Sequence, residues 1–238
     1  MYQWIINLLG LIYPRRCPIC HEIVKDKGKL ICIECRKEVH DLKEPFCKKC
    51  GKPISVFENE YCNGCKNQSH SFDRGWACFH YSKKMKESMY YFKYKGRREY
   101  ANFYVTELIP KFLPYIEKIA PQVVVPVPIH KKRMDQRGYN QAYLIAKRVS
   151  KALHIPSNQK LVTRVENTKA LKELDRRQRK ASLRHAFQVI EGAGGYERIL
   201  LVDDIYTTGS TMDAISYLLK KQGVKEVYFV VICTSYDY

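Results

Sequence analysis

Four Cys-x-x-Cys pairs are the feature that most constrains this chain. They are Cys17/Cys20, Cys32/Cys35, Cys47/Cys50 and Cys62/Cys65, and each begins 15 residues after the previous one. Two thiols on either side of a tight turn present both sulfurs to one tetrahedral ion, and a second pair completes a four-cysteine site. The constant spacing indicates an internal repeat. We therefore expect two structural zinc ions in the amino-terminal part of the chain.

We call each Cys-x-x-Cys pair a knuckle. The spacing leaves open which two knuckles bind the same zinc ion. The simplest arrangement joins the first with the second and the third with the fourth, while a nested or crossed arrangement also satisfies the spacing. A disulfide framework is the alternative to zinc, but it needs an oxidising compartment, and no export signal is visible in the sequence. Zinc is therefore favoured. Cys78 and Cys233 lie outside the repeat and are predicted to be small core residues.

The positive charge of the chain is concentrated in its middle. The chain has 42 Lys and Arg against 24 Asp and Glu, a net charge of +18. Residues 81–188 alone carry 25 basic and 8 acidic side chains, a net charge of +17. So uneven a distribution favours phosphate or nucleic acid as a partner. The apolar stretch Tyr2–Pro14 is shorter than the roughly 20 residues that cross a bilayer, so we expect no membrane span.

The most specific chemical pattern lies at Ile199–Thr211, Ile-Leu-Leu-Val-Asp-Asp-Ile-Tyr-Thr-Thr-Gly-Ser-Thr. Four apolar residues predict a buried parallel strand, and Asp203 and Asp204 follow it. A loop of small hydroxyl residues and Gly209 then precedes a helical pattern. A strand, loop and helix of this kind can cradle a phosphate group between backbone N–H groups and the positive end of the helix. The two carboxylates would repel that phosphate, so sugar hydroxyls and a divalent cation are their natural ligands.

This run resembles the phosphoribosyl-pyrophosphate (PRPP) signature of the type I phosphoribosyltransferases. By that resemblance Asp203 and Asp204 hold the ribose hydroxyls of PRPP with Mg²⁺. The 5-phosphate is enclosed by Thr207, Thr208, Gly209, Ser210 and Thr211. In the resembled fold the loop after an early strand grips the pyrophosphate. Here that loop follows Val123–Ile129 and reads His130, Lys131, Lys132 and Arg133.

The order of motifs along the whole chain resembles the ComF family, of the ComFC type. After the cysteine knuckles come Lys93–Gly96, Pro126–Pro128, Arg137-Gly138-Tyr139-Asn140-Gln141, Ala186-Phe187 and the acidic signature. The resemblance implies a cytoplasmic protein that handles incoming single-stranded DNA on a PRPP-binding fold, alongside other competence or DNA-processing proteins. It also implies a hood over the ligand at 167–187, with Arg164, Thr168 and Arg179 as its contact residues.

The alternation of predicted strands and helices gives the fold class. Strands are expected at Val123–Val127, Ile199–Val202 and Val227–Ile232. A helical pattern covers Lys83–Ile119, a second follows the first strand and ends at Leu153, and a third follows the second strand and ends at Gln222. This alternation predicts an α/β fold with a parallel sheet, and the resemblance makes it type I phosphoribosyltransferase-like. The expected domains are an amino-terminal helix and zinc-ribbon module at 1–70 and a phosphoribosyltransferase-like domain at 71–238.

Basic residues gather where the carboxyl ends of the strands are expected. The candidates for nucleic-acid contact are Lys93, Lys95, Arg97, Arg98, Arg137, Arg176 and Arg177. Tyrosines and Phe92 interleave with the first four of them. Alternating aromatic and basic residues suit single-stranded nucleic acid, because bases stack on the rings while phosphates pair with the cations. An ordinary solvated surface is the alternative for each cluster.

Three functions are compatible with these features. The first is a competence protein that binds single-stranded DNA and carries a PRPP pocket. The second is an active phosphoribosyltransferase, for which no stretch of sequence identifies the acceptor or a catalytic residue. The third is a regulatory scaffold, in which PRPP tunes a contact made by the zinc module.

Overall fold

A four-stranded parallel sheet organises the structure, a computed structural model that describes residues 14–26, 28–39, 41–55, 58–166 and 184–235. The strands of the sheet are β1 (Arg74–His80), β2 (Val123–Pro126), β5 (Arg198–Tyr206) and β6 (Glu226–Thr234). They lie in the order β1-β6-β5-β2, and all three pairings are parallel. A separate antiparallel pair is formed by β3 (Val162–Arg164) and β4 (Phe187–Val189). The predicted α/β class with a parallel sheet is confirmed.

Seven α-helices lie wholly within the described residues. They are α1 (Ile33–Glu38), α2 (Asn63–Lys66), α3 (Lys83–Tyr94), α4 (Tyr100–Ile119), α5 (Lys131–Arg137), α6 (Gln141–Leu153) and α7 (Ser210–Lys221). The helical pattern from Lys83 to Ile119 is divided into α3 and α4, because Gly96 turns the chain with φ +68°. A single Gly can adopt this left-handed conformation without the steric cost that a side chain adds. In the described residues no helix is both long and apolar enough to cross a membrane.

The sheet is covered on both faces. Val124, Leu200 and Val202 belong to a core on the face that carries α4 and α6, whereas Ile199 and Leu201 belong to a second core with α7. Successive side chains of a strand point to opposite faces, which is why a nearly continuous apolar run suits a strand buried on both sides. Cys78 and Cys233 are buried in the first core, as predicted.

Some predictions about local structure were wrong. The segment expected to be a basic loop, His130–Arg133, instead opens the short helix α5, because the His130 Nδ1 accepts a hydrogen bond from the Lys132 N–H and caps the first turn. The strand β5 continues beyond Val202 through Asp203 and Asp204, which we call the acidic pair, to Tyr206. The strands β1, β3 and β4 were not predicted at all. The expected hood residues Thr168 and Arg179 lie outside the described residues, as do Arg176 and Arg177.

The cysteine-rich segment packs against both cores of the sheet. Cys17 and Cys35 are buried in the first core, and Cys47, Cys50 and Cys62 are buried in the second. The chain passes between the two where Asp41 bridges to Phe79 of β1. The first and second knuckles therefore lie on one face of the sheet and the third and fourth on the other. A domain boundary at residue 70 stays a prediction.

Candidate functional site: an acidic pair, a phosphate loop and two cysteine clusters

The phosphate loop, which we define as Thr207–Thr211, connects β5 to α7. Gly209 caps the helix with φ +79°, and no side chain accepts a capping hydrogen bond from the first turn. The Oγ atoms of Thr208 and Ser210 lie 2.9 Å apart, and the loop lines a small cavity of about 40 Å³. The free N–H groups of the first helical turn and these hydroxyls are the donors that an anion needs at a helix N-terminus.

The acidic pair, Asp203 and Asp204, lies near the carboxyl end of β5, and Ile205 and Tyr206 separate it from the loop. The Asp203 Oδ1 accepts a hydrogen bond from the Asp204 N–H at 2.8 Å. Burial, followed by the neighbouring negative charge of Asp204, raises the pKa of Asp203 to about 8, although Lys93 and Arg164 act in the opposite direction. Two adjacent carboxylates in a partly enclosed site repel each other, so one of them favours its protonated form.

Lys93 of α3 compensates part of this negative charge. Its ammonium lies 3.0 Å from both carboxylate oxygens of Asp204. Burial alone would lower the pKa of Lys93, but the attraction of Asp204 and Asp203 outweighs burial and the pKa is raised. The sequence placed Lys93 among the nucleic-acid candidates. In the structure it lies against the acidic pair, and its contact with nucleic acid stays a prediction.

A cavity of about 290 Å³ brings several of the predicted residues together. Those that line it are Lys93, Arg133, Arg137, Arg164, Asp203, Asp204, Thr207 and Thr211. Burial and the positive charge of Arg133 lower the pKa of Arg164 from its usual value, although Asp203 opposes this. His130, Lys131 and Lys132 do not line this cavity, and Lys131 and Lys132 are exposed. Asp203 and Asp204 thus face a group of three guanidinium side chains.

Residues 137–141 supply part of the wall of this cavity through Arg137, Asn140 and Gln141. Gly138 ends α5 with φ +73°, and the Tyr139 hydroxyl donates to the carbonyl of Phe92 on α3. Asn140 caps α6 by accepting from the Ala142 N–H at 3.0 Å, and its Nδ2 donates to the Val127 carbonyl. The run therefore ties β2, α3 and α6 together. Asn140 and Gln141 also line the cavity, although they were not predicted as site residues.

An exposed aromatic surface adjoins the cavity, and Arg137 belongs to both. The Arg137 guanidinium lies 4.7 Å from the ring centroid of Tyr94 and donates to its hydroxyl at 2.7 Å. Tyr90 is 5.4 Å from Tyr94, and the Lys95 ammonium lies 5.9 Å from the Tyr90 ring. We call Tyr90, Tyr94, Lys95 and Arg137 the aromatic surface. Of the other candidates, Arg98 stacks on the buried ring of Tyr139, and Arg97 lies 3.9 Å from Glu99.

The eight knuckle cysteines form two clusters. Cys17, Cys20, Cys32 and Cys35 form the first, and Cys47, Cys50, Cys62 and Cys65 form the second. Within each cluster the four sulfur atoms lie within 4.8 Å of one another, which fits tetrahedral coordination by thiolates. The pairing that the spacing left open is thus the sequential one. Each cluster suits one structural zinc ion, and the chain has a site for two.

Comparison with known proteins agrees with this architecture. Residues 8–66 match the double zinc ribbon domain, and residues 139–237 match the phosphoribosyl transferase domain. The chain therefore combines a double zinc ribbon with a phosphoribosyltransferase domain. Among solved structures, a purine phosphoribosyltransferase from Pyrococcus horikoshii has 18% identity and a TM-score of 0.37, over 56% of this chain and 73% of that chain.

Curated relatives include proteins named for competence and for DNA utilization. Competence protein F of Haemophilus influenzae is 41% identical over 109 residues, which are 45% of this chain and 48% of that protein. Competence protein ComFC of Bacillus subtilis is 29% identical over 150 residues, 62% of this chain and 58% of that protein. The DNA utilization protein YhgH of Escherichia coli is 34% identical over 115 residues, 48% of this chain and 50% of that protein. The chain spans about half the length of the curated relatives it matches. The resemblance to the ComF family is confirmed.

Proposed function

We propose that this protein is a cytoplasmic ComF-type competence protein that binds single-stranded DNA beside a pocket for PRPP and Mg²⁺. The observation that carries the proposal is the position of Arg137, which lines the cavity of the acidic pair and stacks on Tyr94 of the aromatic surface. A phosphate-rich strand and a phosphorylated sugar would therefore meet at the same side chain.

The support for PRPP is the order of charges along the cavity. The phosphate loop supplies backbone N–H groups and hydroxyls for the 5-phosphate, and the acidic pair follows for the ribose hydroxyls. Arg133 and Arg164 line the same cavity and would supply the positive charge that a pyrophosphate needs. Mg²⁺ would enter with the pyrophosphate, whose oxygens it prefers, and would meet Asp203 once that carboxyl has lost its proton.

The support for single-stranded DNA is the aromatic surface. Tyr90 and Tyr94 are 48% and 49% exposed, which leaves ring faces for bases to stack on. Lys95 and Arg137 lie over these rings and can pair with phosphates on either side. Curated relatives named for competence and for DNA utilisation favour the same ligand, and other DNA-processing proteins would be its partners.

A phosphoribosyltransferase activity is the second candidate, favoured by the guanidinium groups of Arg133 and Arg164 in the cavity. They would stabilise the charge that develops on departing pyrophosphate. Pyrophosphate release with any of the common nucleobases would establish this activity. PRPP binding without pyrophosphate release would favour a protein that senses PRPP. The regulatory scaffold, in which PRPP acts through the zinc module, is such a protein.

The test measures PRPP and DNA separately. Isothermal titration with PRPP and Mg²⁺ should give binding to the wild type and none to the Asp203→Asn/Asp204→Asn variant. Fluorescence anisotropy with a labelled oligo(dT) should show affinity that falls steeply with salt. Failure of the wild type to bind PRPP, or a flat salt response with DNA, would overturn the corresponding half of the proposal.

A matched pair of variants locates the DNA. Tyr94→Ala removes an exposed ring that is stacked by an arginine, and we expect DNA binding to weaken about tenfold, since one stacked base contributes roughly 1–3 kcal/mol. Tyr115→Ala is the control, because Tyr115 is 43% exposed and lies under Arg74 at 5.5 Å. Equal losses in the two variants would mean that the aromatic surface is not the binding site.

A further inference from the structure

The second cysteine cluster shares a buried core with Tyr206 and Met212, the residues that flank the phosphate loop. Cys47, Cys50 and Cys62 belong to the same buried core as Tyr206, the last residue of β5. Burial, and then the neighbouring Cys50 and Cys65, raise the pKa of the Tyr206 hydroxyl, which therefore lies beside the second cluster. The sequence predicts two structural zinc ions, and nothing in it indicates a contact between the zinc module and the loop.

The ring of Tyr206 is held in a fixed place. It stacks on Phe229 of β6 with 5.0 Å between centroids and 12° between planes, and the edge of Phe72 meets it at 6.4 Å. Its backbone carbonyl accepts a hydrogen bond from the Thr234 hydroxyl at 3.1 Å. Only 4% of the residue is exposed. A side chain packed in this way holds its hydroxyl at one point.

The loop rests on that hydroxyl at Gly209. A Cβ atom added at Gly209 would lie 2.4 Å from the Tyr206 Oη and 2.9 Å from the ring carbon that bears it. Gly209 is also the helix cap with φ +79°. The backbone of the loop and the hydroxyl are therefore in close contact, and the position of one sets the position of the other.

The cluster itself is fixed to the sheet. The Gly75 N–H of β1 donates to the Lys49 carbonyl at 2.9 Å, within the third knuckle. A Cβ atom at Gly51 would lie 2.5 Å from the Gly75 carbonyl oxygen, so the knuckle and the strand touch backbone to backbone. The second cluster, Tyr206 and Gly209 thus form one continuous packed path from the sheet edge to the loop.

We propose that Tyr206 is a positioning residue that ties the phosphate loop to the second cysteine cluster, so that zinc in this cluster sets the geometry in which the loop binds phosphate. A zinc-bound thiolate accepts hydrogen bonds from neighbouring donors, and the Tyr206 hydroxyl beside Cys50 would be such a donor. Loss of the ion would free the Cys50 thiol and with it the hydroxyl on which Gly209 rests. The identity of the phosphate ligand rests on the proposed function. The coupling between the second cluster and the phosphate loop does not.

The first test is Tyr206→Phe, which keeps the ring and removes the hydroxyl. Hydrogen–deuterium exchange of the Thr207–Thr211 amides should become at least about tenfold faster while the zinc content stays at two per chain. Binding of ribose 5-phosphate should weaken about tenfold. Tyr100→Phe is the matched control, since it removes a tyrosine hydroxyl that lies 2.8 Å from His21 beside the first cluster. It should leave exchange in the loop unchanged.

The second test removes the ion. Cys65→Ser changes a half-buried ligand of the second cluster, and zinc analysis should then find one ion per chain together with faster exchange in the loop. Unchanged loop exchange in both Tyr206→Phe and a one-zinc Cys65→Ser variant would overturn the proposal. If wild type fails to bind ribose 5-phosphate and PRPP, the proposed function fails, and the exchange measurements still decide whether the cluster positions the loop.

Discussion

Lys93→Met removes an ammonium that lies 3.0 Å from both carboxylate oxygens of Asp204, while the length of the side chain is nearly kept. The side chains of Lys93 and Asp204 are only 17% and 12% exposed, so water screens the pair weakly. The variant would leave Asp203 and Asp204 side by side in the cavity without the ammonium. We expect the free energy of unfolding to fall in this variant. The decrease should be largest at a pH at which both carboxyls are ionised.

The magnitude follows from the burial of the pair. Removing one partner of a buried ion pair costs about 3–5 kcal/mol, because the other charge is left without compensation. Lys37 and Glu34 provide the comparison within the same protein, since they are 2.9 Å apart but 68% and 80% exposed. An exposed pair contributes about 0–1 kcal/mol. The two pairs have almost the same length, so the difference measures burial.

The assay is a double-mutant cycle in urea at constant zinc concentration. Lys93→Met, Asp204→Asn and the double variant give the coupling energy of the buried pair, and Lys37→Met with Glu34→Gln gives that of the exposed pair. We expect about 2–3 kcal/mol or more for the first and less than about 1 kcal/mol for the second. The loss in Lys93→Met should shrink at low pH, where the acidic pair takes up protons.

A coupling energy for Lys93 and Asp204 as small as that of the exposed pair would refute this reasoning. So would a loss of stability in Lys93→Met that does not depend on pH, because the cost would then come from packing and not from charge.

Three further predictions concern the loop, the acidic pair and the metal. Gly209→Ala should destabilise the protein by at least about 1–2 kcal/mol in urea and abolish ribose 5-phosphate binding, because a side chain is disfavoured at φ +79° and collides with Tyr206; normal binding would contradict the geometry of the loop. PRPP–Mg²⁺ affinity should rise as the pH increases through about 8, since the raised pKa of Asp203 keeps its carboxyl protonated below that value, and titrations of Asp203→Asn should not show this rise. Metal analysis of purified protein should find close to two zinc ions per chain with free thiols after denaturation, and a zinc-free protein with disulfides would contradict the assignment of the clusters.

The features that could be predicted from the sequence are those whose residues are close together along the chain. Two cysteines of a knuckle are three positions apart, and the phosphate loop is a continuous run after an apolar strand. The buried strands β5 and β6 were recognisable because both faces are covered, which demands an unbroken apolar run. The order of such segments also gave the α/β class.

The features that could not be predicted depend on contacts between distant residues. Lys93 and Asp204 are 111 positions apart, and nothing in the basic run around Lys93 distinguishes a lysine that faces a carboxylate from one that faces water. The edge strand β1 pairs with β6, whose residues lie about 150 positions further on. Its sequence, Arg-Gly-Trp-Ala-Cys-Phe-His, does not alternate between apolar and polar residues, and periodicity alone cannot distinguish so short an apolar run from a buried helix segment. That Tyr206 and Cys50 share a buried core could be found only once the packing on that face of the sheet was known.

The central claim is that a phosphorylated ribose and single-stranded DNA meet at Arg137. The measurement that tests it most directly is a titration of PRPP–Mg²⁺ into the complex of the protein with labelled oligo(dT), followed by anisotropy at constant ionic strength. We predict that PRPP lowers the apparent DNA affinity in the wild type and that Asp203→Asn/Asp204→Asn, which does not bind PRPP, loses the effect. If the DNA affinity is the same with and without saturating PRPP, the two ligands do not meet at Arg137.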